Sequence, residues 1–580
     1  MHIETARSHQ TLKDGTERVY QRHLLRRSYR EGGKVRKQTL ANLSHLPDEA
    51  IAALRLVLGG KTVVDADAAV QVERSAGHGH VAAVHAIAGQ LGLPGLLGPA
   101  CRARDLAYAL LVSRVVRPRS KLSTVGWWDD VTLGADLGVA GASTDEVYAA
   151  MDWLVGRQDA IEAQLARRHL REGGIAMFDL SSSWMEGSHC ELACFGHSRD
   201  GKRGKPQIEY GLLCDPAGRP VAVRVVAGNT GDPTAFSQAV QVVRGSFDLH
   251  QLILVGDRGM ITTARIEGLK ALNDDPDTPD GLGWITALRA PSVKQLAADD
   301  GPLQLSLFDQ TDLAEITSPD YPGERLVACR NPLLAQERAR KRADLLAATE
   351  ALLAKVKRQV DAGRLKDPDK IGVKADRALR KHKVGKHLVV QVAQGQISWH
   401  RDQAKIDAEA ALDGIYVIRT CVPATALDAA ATVAAYKNLA FVERDFRSIK
   451  ADDLDLRPIW HRLQDRVRGH VLVCMLACYL AWHLRKAWAP LTFTDEHPPV
   501  RADPVAPARR SPTAQAKAAR KTNISGQRMR SLRDLLDHLG TLRRDTITIA
   551  GQTLDKLTSP TPTQRRAFEL LQTPIPLTLA

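Results

Sequence analysis

The chain has 580 residues, which predicts several domains, and its hydrophobic content of 44% supports folding around buried cores. Lys and Arg number 80 against 66 Asp and Glu, and the resulting net charge of +14 favours a polyanionic partner such as nucleic acid. The N-terminus lacks the regions of a signal peptide, and the longest apolar run, Val471 to Ala481, is too short to span a bilayer. We therefore expect a cytoplasmic protein with no membrane partner.

The first patterned stretch, residues 17 to 43, predicts a β-hairpin. Two runs of alternating residues are joined at Glu31-Gly32-Gly33, where consecutive glycines favour a tight turn. Many of its residues are Arg or Lys, so the hairpin is a candidate for phosphate contacts. A solvated charged surface explains the same composition.

Residues 78 to 172 have a helical pattern that is interrupted by prolines and glycines. A basic segment, residues 113 to 121, precedes the pair Trp127-Trp128. This combination suits contact with a DNA backbone, and it suits equally well a helix-loop junction with packed tryptophans.

Residues 173 to 290 predict a mixed sheet flanked by helices. Ile175 to Leu180 is a short apolar strand with Asp179 near its end, and Ser181 to Ser183 predict a polar turn. A hairpin, a helix and a second apolar strand ending at Asp257 follow. Open α/β sheets usually place their sites at such strand ends, although a cap or a turn is the simpler explanation for either acid alone.

Residues 291 to 429 interrupt this pattern with strand-like pieces around a long helix from Leu333 to Val360. After the helix, residues 366 to 386 carry an excess of Lys and Arg. We expect a flexible, solvated loop there, and a basic surface for a polyanion is the alternative.

Residues 436 to 450 predict one amphipathic helix with Glu443 among basic and aromatic residues. Tyr436, Leu439, Glu443, Arg447 and Lys450 fall near a single stripe at 3.6 residues per turn. Taken alone, the stretch is explained by ordinary Glu-Arg pairing. Beyond it we predict a helix from about 464 to 488 that packs on the sheet, and a linker from 489 to 525.

Asp179, Asp257 and Glu443 together suggest a metal site. Converging carboxylates can hold two divalent ions roughly 4 Å apart, which suits phosphodiester chemistry without a covalent protein intermediate. Without metal the three acids would repel each other, so the site should be strained or part-protonated, and metal binding should relieve this.

The segments around Asp179 and Asp257 and the stretch from Tyr436 to Lys450 resemble the three acidic motifs of DDE transposases of bacterial insertion sequences. The most similar branch is large, with a β-rich insertion before the Glu and a Tyr-x2-Arg-x3-Glu-x6-Lys signature. Tyr436, Glu443 and Lys450 keep that spacing, whereas Leu439 occupies the Arg position. The resemblance covers roughly residues 113 to 485.

This resemblance implies an α/β fold: an RNase H-like mixed sheet core with a β-rich plus helical insertion, preceded by a β-hairpin and a helical domain. It implies that Asp179, Asp257 and Glu443 bind two Mg²⁺ (or Mn²⁺) ions. The DNA contacts would come from Tyr436, Arg447, Lys450 and Arg258. Double-stranded DNA, as element ends and target, would be the partner of a homodimer associated with the nucleoid.

The implied domains follow the changes of pattern along the chain. They are an N-terminal hairpin region (1–77), a helical, DNA-binding domain (78–172), the first part of the core (173–290), the insertion (291–429), the second part of the core with the catalytic helix (430–488), and a linker with a C-terminal tail (489–580).

Three functions share these features. The first is a transposase that cuts element ends and joins them to target DNA. An RNase H-like DNA nuclease without strand transfer would use the same acids, and a non-catalytic DNA-binding relative would keep only the basic surfaces. The resemblance also implies base flipping by an aromatic of the insertion domain. Trp284, just before the insertion, and Trp399, within it, are candidates, although a buried core tryptophan is the simpler explanation for each.

Overall fold

A computed structural model describes residues 1–11, 17–61, 63, 70–187, 189–273, 281–393, 395–499, 503–523, 525–549 and 552–579. The chain forms two compact units. The smaller unit comprises residues 1–75 and 544–558, and the larger comprises 76–543 and 559–580.

The smaller unit is built on a three-stranded antiparallel sheet. Its strands are β1 (His2–Thr11), β2 (Glu17–Glu31) and β3 (Lys34–Asn42), in the order β1-β2-β3, and α1 (Asp48–Leu58) packs against it. The predicted hairpin is confirmed, since β2 turns into β3 at Gly32 and Gly33, whose φ angles of 57° and 74° suit glycine. The sequence analysis did not predict β1. A second sheet joins β4 (Val70–Gly77), β15 (Arg543–Ile549) and β16 (Gln552–Leu557).

The larger unit begins with helices, as predicted. They are α2 (Gly79–Gln90), α3 (Leu93–Leu97), α4 (Arg102–Val116), α5 (Lys121–Trp127), α6 (Thr132–Asp136), α7 (Thr144–Val155) and α8 (Gln158–His169). Ser143 and Glu146 form a capping box that fixes the start of α7. Nearly every residue of α4 from Leu106 to Val116 is buried, so this helix is a core element.

An eight-stranded mixed sheet follows, in the order β10-β11-β14-β9-β8-β5-β6-β7. Its strands are β5 (Ile175–Trp184), β6 (Gln207–Cys214), β7 (Pro220–Ala227), β8 (Ile253–Val255), β9 (Gly283–Ala287), β10 (Leu313–Ile316), β11 (Arg325–Arg330) and β14 (Ile415–Thr420). The β5, β8 and β9 strands run parallel, and β6 and β7 are antiparallel neighbours on the other side of β5. This order confirms the RNase H-like mixed sheet. Helices α9 (Asp232–Gly245) and α10 (Thr263–Asn273) connect the strands.

The prediction of a polar turn at Ser181 to Ser183 is wrong. These residues continue β5, are buried, and pair with Tyr210, Glu209 and Ile208 of β6. Small hydroxyl side chains fit the packed sheet, so burial by the neighbouring strand overrides their local turn preference. Asp179 therefore lies in the middle of a ten-residue strand and not near its end.

The segment from 291 to 429 both extends the sheet and forms a cluster of its own. Strands β10, β11 and β14 extend the sheet beyond β9, and α11 (Ala290–Leu296) packs near them. A second hydrophobic cluster joins α12 (Pro332–Asp361), α13 (Pro368–Lys381) and the hairpin of β12 (Leu388–Ala393) and β13 (Gln396–Arg401). The helix α14 (Gln403–Ala410) leads back to β14.

The expected solvated loop at 366 to 386 is wrong, because α13 occupies most of it. Ile371, Ala375 and Ala378 are buried against the cluster at helical spacing, while the basic residues face outward. The high charge of this stretch thus belongs to the polar face of an amphipathic helix.

The remaining helices complete the core. They are α15 (Ala429–Lys437), α16 (Leu439–Arg447), α17 (Gln464–Ala487), α18 (Pro512–Arg520), α19 (Leu532–Gly540) and α20 (Pro562–Leu570). By length and composition α17 could cross a membrane, yet 83% of its most apolar window is buried in the protein, and it packs on β7, α4 and α7. The predicted packing of this helix on the sheet is confirmed. The linker expected at 489–525 differs from the structure, because α18 lies within it.

Candidate active site

Asp179 and Asp257 lie on neighbouring parallel strands. In the register of β5 with β8, Met177 is opposite Val255. Asp179 lies two residues after Met177, and Asp257 lies two residues after Val255. The register therefore brings the two acids to the same level of the sheet. Asp179 is partly buried and Asp257 is exposed in the turn after β8.

Glu443 lies on α16, which packs against β5, the strand of Asp179. Val442 and Phe446 are buried on the inner side of this helix, and the Phe446 ring meets Tyr210 of β6 edge-on at 5.5 Å between centroids. Gly218, in the β6–β7 turn, has a φ of +80°, and an added Cβ there would lie 2.7 Å from Phe441 Cβ. Glu443 itself remains exposed.

The single helix predicted for residues 436 to 450 is divided in the structure. Tyr436 belongs to α15, Glu443 to α16, and Lys450 to a π-helical turn over Ser448–Asp452. A π-helical turn shifts the direction of the side chains that follow it. Tyr436 and Glu443 stay near Asp257 and Asp179, whereas Lys450 is directed elsewhere.

The three acids affect one another electrostatically. The pKa of Asp179 is raised to about 7, chiefly by burial and to a smaller extent by the charges of Asp257 and Glu443. A hydrogen bond of 2.8 Å from the Leu180 N–H and the nearby charge of Arg199 act in the opposite direction. The partial protonation expected for a metal-free site therefore applies to Asp179.

Tyr436 contacts the same site through its hydroxyl. That group donates a hydrogen bond of 3.4 Å to Asp257 Oδ1. Burial, followed by the charge of Asp257, raises the pKa of Tyr436, so the phenol stays a proton donor at neutral pH. Leu439, at the Arg position of the signature, packs against the core and supplies no cation.

Lys450 is paired with a carboxylate other than the three acids. Its Nζ lies 2.8 Å from Asp200 Oδ1, and Arg457 binds the same carboxylate. Lys450 is buried, and this desolvation lowers the pKa of its ammonium group. The Arg457 guanidinium also stacks over Trp184, 4.9 Å from the ring centroid, which fixes this ion-pair group at the end of β5.

Sequence reasoning missed the loop between β5 and β6. Arg199 donates to the Leu180 carbonyl oxygen at 2.9 Å, and its charge acts on Asp179. The next residue, Asp200, holds Lys450. The signal available in the sequence was the dense run of charges from Arg199 to Lys205, between two predicted strands.

The other predicted DNA contacts differ in exposure. Arg258, directly after Asp257, is exposed, and so is Arg447 on α16. Neither has an ion-pair partner among the residues described. Both are thus available to an anionic ligand near the acids.

The tryptophans and the basic segment 113 to 121 have structural roles. Trp284 is buried in β9, and Trp399 is half-buried against the cluster of α12 and α13. Trp128 donates to Ser113 Oγ at 2.9 Å. Arg114 and Lys121 are both buried, as expected for a helix-loop junction, whereas Arg117 and Arg119 of the same segment are exposed.

The donor set suits a hard divalent cation. Carboxylate oxygens are the protein ligands that Mg²⁺ and Mn²⁺ prefer, and the negative charges of Asp257 and Glu443 are, after burial, among the causes that raise the pKa of Asp179. Within the described ranges, no group of three or more His, Cys, Asp or Glu side chains lies close enough together to hold an ion. Binding would therefore have to draw the exposed Asp257 and Glu443 towards Asp179.

Comparison with known proteins gives the class of the chain. Residues 192–480, from the segment after β5 through most of α17, match a family model described as the transposase DDE domain. Residues 8–67 match the N-terminal domain of IS1634 family transposases. The chain belongs to the DDE transposases of insertion sequences.

One solved transposase structure is distantly similar to the chain. The cryo-EM structure of a piggyBac transposase synaptic complex with hairpin DNA is similar with a TM-score of 0.33 and 9% sequence identity, over 75% of this chain and 70% of that chain. No curated protein matches the chain. The fold assignment rests on the strand order of the sheet.

Proposed function

We propose that this transposase cuts DNA at the ends of its insertion sequence and transfers the freed 3′-OH to target DNA, with Asp179, Asp257 and Glu443 as the catalytic residues. The observation that carries the proposal is the placement of these carboxylates: Asp179 and Asp257 follow the paired positions of neighbouring parallel strands, and Glu443 lies on α16, which packs against β5. They belong to distant parts of the chain, and these three positions are the ones that the family resemblance singles out.

The three carboxylates would hold two Mg²⁺ or Mn²⁺ ions, which supply Lewis acidity at the phosphate and lower the pKa of bound water. Asp179 would give up its proton on binding a cation, because its pKa of about 7 is set by burial and by the neighbouring carboxylates. Tyr436 would orient Asp257 through their hydrogen bond.

The residues predicted to contact DNA differ in their exposure to solvent. Arg258 and Arg447 are exposed beside the acids, so we propose that both bind phosphates near the scissile bond. Lys450 could reach a phosphate only by leaving Asp200, and we propose that it orders the loop at Arg199 and Asp200 in the DNA-free protein. Because an element has two ends, a homodimer on double-stranded DNA, in the nucleoid of the cytoplasm, completes the proposal.

Cleavage assays test the acids directly. Asp179→Asn, Asp257→Asn and Glu443→Gln should each abolish Mg²⁺-dependent cleavage of DNA that carries the terminal repeats flanking the gene, with DNA binding nearly unchanged. Glu267→Gln, at an exposed carboxylate of α10, is the matched control and should cleave as the wild type does. Wild-type cleavage by any of the three site variants would overturn the assignment.

Product analysis separates the transposase from a nuclease with the same acids. With pre-cut ends and a supercoiled plasmid, we expect joined products in which an element 3′ end is covalently attached to the plasmid. Cleavage that never yields a joined product would favour the RNase H-like nuclease.

A further inference from the structure

A groove of about 840 Å³ opens beside the candidate active site, between the central sheet and the segment inserted into it. It is bounded by α11, α12, α14 and the start of β14. Arg258, the residue after Asp257, lines its wall, so the groove begins where the acidic site ends.

The groove is strongly basic. Its lining contains seven Lys and Arg residues, against the two acids Glu409 and Asp413. Arg342 is paired with Asp413, and Lys386 is paired with Glu409. Those two acids are thereby neutralised.

Four of the remaining cations have no ion-pair partner in the part of the chain that the structure describes. They are Arg258, Lys294, Arg338 and Lys341, and all four are exposed to solvent. The groove therefore presents positive charge that nothing in the described protein compensates, which favours an anionic ligand.

Two buried polar groups of the lining also lack hydrogen-bond partners. His387 is 1% exposed and its Nδ1 has none among the described residues. The Nε of the buried Arg342 also makes no hydrogen bond, although it lies 3.7 Å from Glu409 Oε1. A buried polar atom without a partner costs free energy, so such atoms often mark a position that a ligand completes.

The rest of the lining is aliphatic. Leu288, Val293, Leu345, Leu412 and Ile415 contribute to it, together with the ring of Tyr416. A duplex presents mainly phosphates and sugars to such a surface and offers no exposed base face to its apolar part. An unpaired strand offers both groups that the lining suits: phosphates for the cations, and exposed base faces for the apolar surface.

We propose that this groove binds a short unpaired stretch of DNA strand that leads away from the acidic site, with its phosphates on Arg258, Lys294, Arg338 and Lys341 and its bases against the aliphatic lining. This inference rests on the proposed function, because it takes the acidic site as the point from which the strand departs.

Binding of two probes by the full-length protein, without divalent metal, tests the groove. One probe is a blunt DNA duplex, and the other is the same duplex with a short single-stranded oligothymidine extension. We expect the extension to tighten binding by wild-type protein about tenfold. The double variant Arg338→Glu/Lys341→Glu changes exposed positions of α12. It should lose most of the gain in affinity that the extension gives, whereas its affinity for the blunt duplex should fall much less.

Arg377→Glu/Lys381→Glu is the control, since it makes the same charge change on α13 of the same insertion, outside the groove. It should keep the full gain from the extension. An equal loss in both double variants, or a wild-type protein that binds both probes equally, would overturn the inference. This experiment measures no cleavage, so a negative result would not affect the assignment of the catalytic acids, which the cleavage assay tests separately.

Discussion

Burial destabilises the charged form of the Asp179 carboxyl group, and this predicts how the stability of the protein depends on pH. Burial raises its pKa in the folded protein to about 7, whereas the unfolded value is about 3.9. The folded state thus binds the proton more tightly, and the stability that this provides is fully present below about pH 4 and lost as the pH rises through about 7.

The variant Asp179→Asn should therefore unfold less readily than wild type above about pH 7, by about 1–2 kcal/mol, since Asn has no charge to desolvate. Near about pH 4 the difference should vanish. Urea unfolding in chelator at several pH values measures it. If the difference in unfolding free energy were the same at all pH values, the pKa of Asp179 would not be raised in the folded protein.

Lys450 and Arg447 allow a paired prediction, because both were expected to bind phosphate and only Arg447 is exposed. Lys450→Ala removes one of the two cations on the buried carboxylate of Asp200, and should lower the free energy of unfolding by about 2 kcal/mol. Arg447→Ala should leave stability unchanged and reduce the slope of log affinity for DNA against log salt by about one. If Lys450→Ala were the variant that flattened the salt slope without destabilising the protein, Lys450 would be a DNA contact.

Among the separate elements, the N-terminal sheet provides the clearest test of the predicted phosphate contacts. In β2, Arg22 and Arg30 share one face with Arg26, whereas His23 lies on the face that α1 covers. Among the residues that the structure describes, no helix packs on the first face, and Arg22 and Arg30 are exposed there.

We expect Arg22→Ala/Arg30→Ala to weaken DNA binding and to reduce its salt slope by about two. Arg7→Ala/Arg27→Ala, on the face that bears α1, is the matched control and should change the slope less. Fluorescence anisotropy over a range of salt concentrations measures both. Equal salt slopes for the two variants would contradict the prediction that DNA binds to the face of the sheet that carries Arg22 and Arg30.

The elements also show why the sequence predicts some features and not others. Runs such as Ile253 to Val255 reveal buried strands, because a continuous apolar run is how a strand buried on both faces is encoded. Ser181 to Ser183 mislead, since only the neighbouring β6 makes small polar residues part of a strand. The contact of Lys450 with Asp200 joins residues 250 positions apart, and no local pattern encodes such a pairing.

The candidate site divides in the same way. Asp179, Asp257 and Glu443 could be selected from the sequence because each lies in a motif with local character. Their convergence depends on the strand register and on the packing of α16, which motif spacing alone does not give. Arg199 was missed because its role comes from the position of a loop.

Considered as a whole, the larger unit depends on residues close to its C-terminus. Leu535, Leu536 and Leu539 of α19 and Phe568 of α20 are buried in the same cluster as the sheet and α17. The segment expected to be a linker and a tail therefore contributes to the core.

The substitution Leu535→Ala should lower the free energy of unfolding by about 3 kcal/mol, as is typical for a large-to-small change at a fully buried position. Leu554→Ala, at an exposed leucine of β16, is the control and should change it by less than about 0.5 kcal/mol. Denaturant unfolding followed by tryptophan fluorescence measures both. A small effect at Leu535 would mean that the C-terminal helices are not part of the cooperative core.

The central claim is that Asp179, Asp257 and Glu443 form one metal site, and Mn²⁺ binding measured by electron paramagnetic resonance tests it most directly. We predict that wild-type protein with DNA binds about two Mn²⁺ ions and that Asp179→Asn, Asp257→Asn and Glu443→Gln each weaken that binding at least about tenfold. Glu267→Gln should bind as the wild type does. Mn²⁺ affinity that is unchanged in all three site variants would contradict the account.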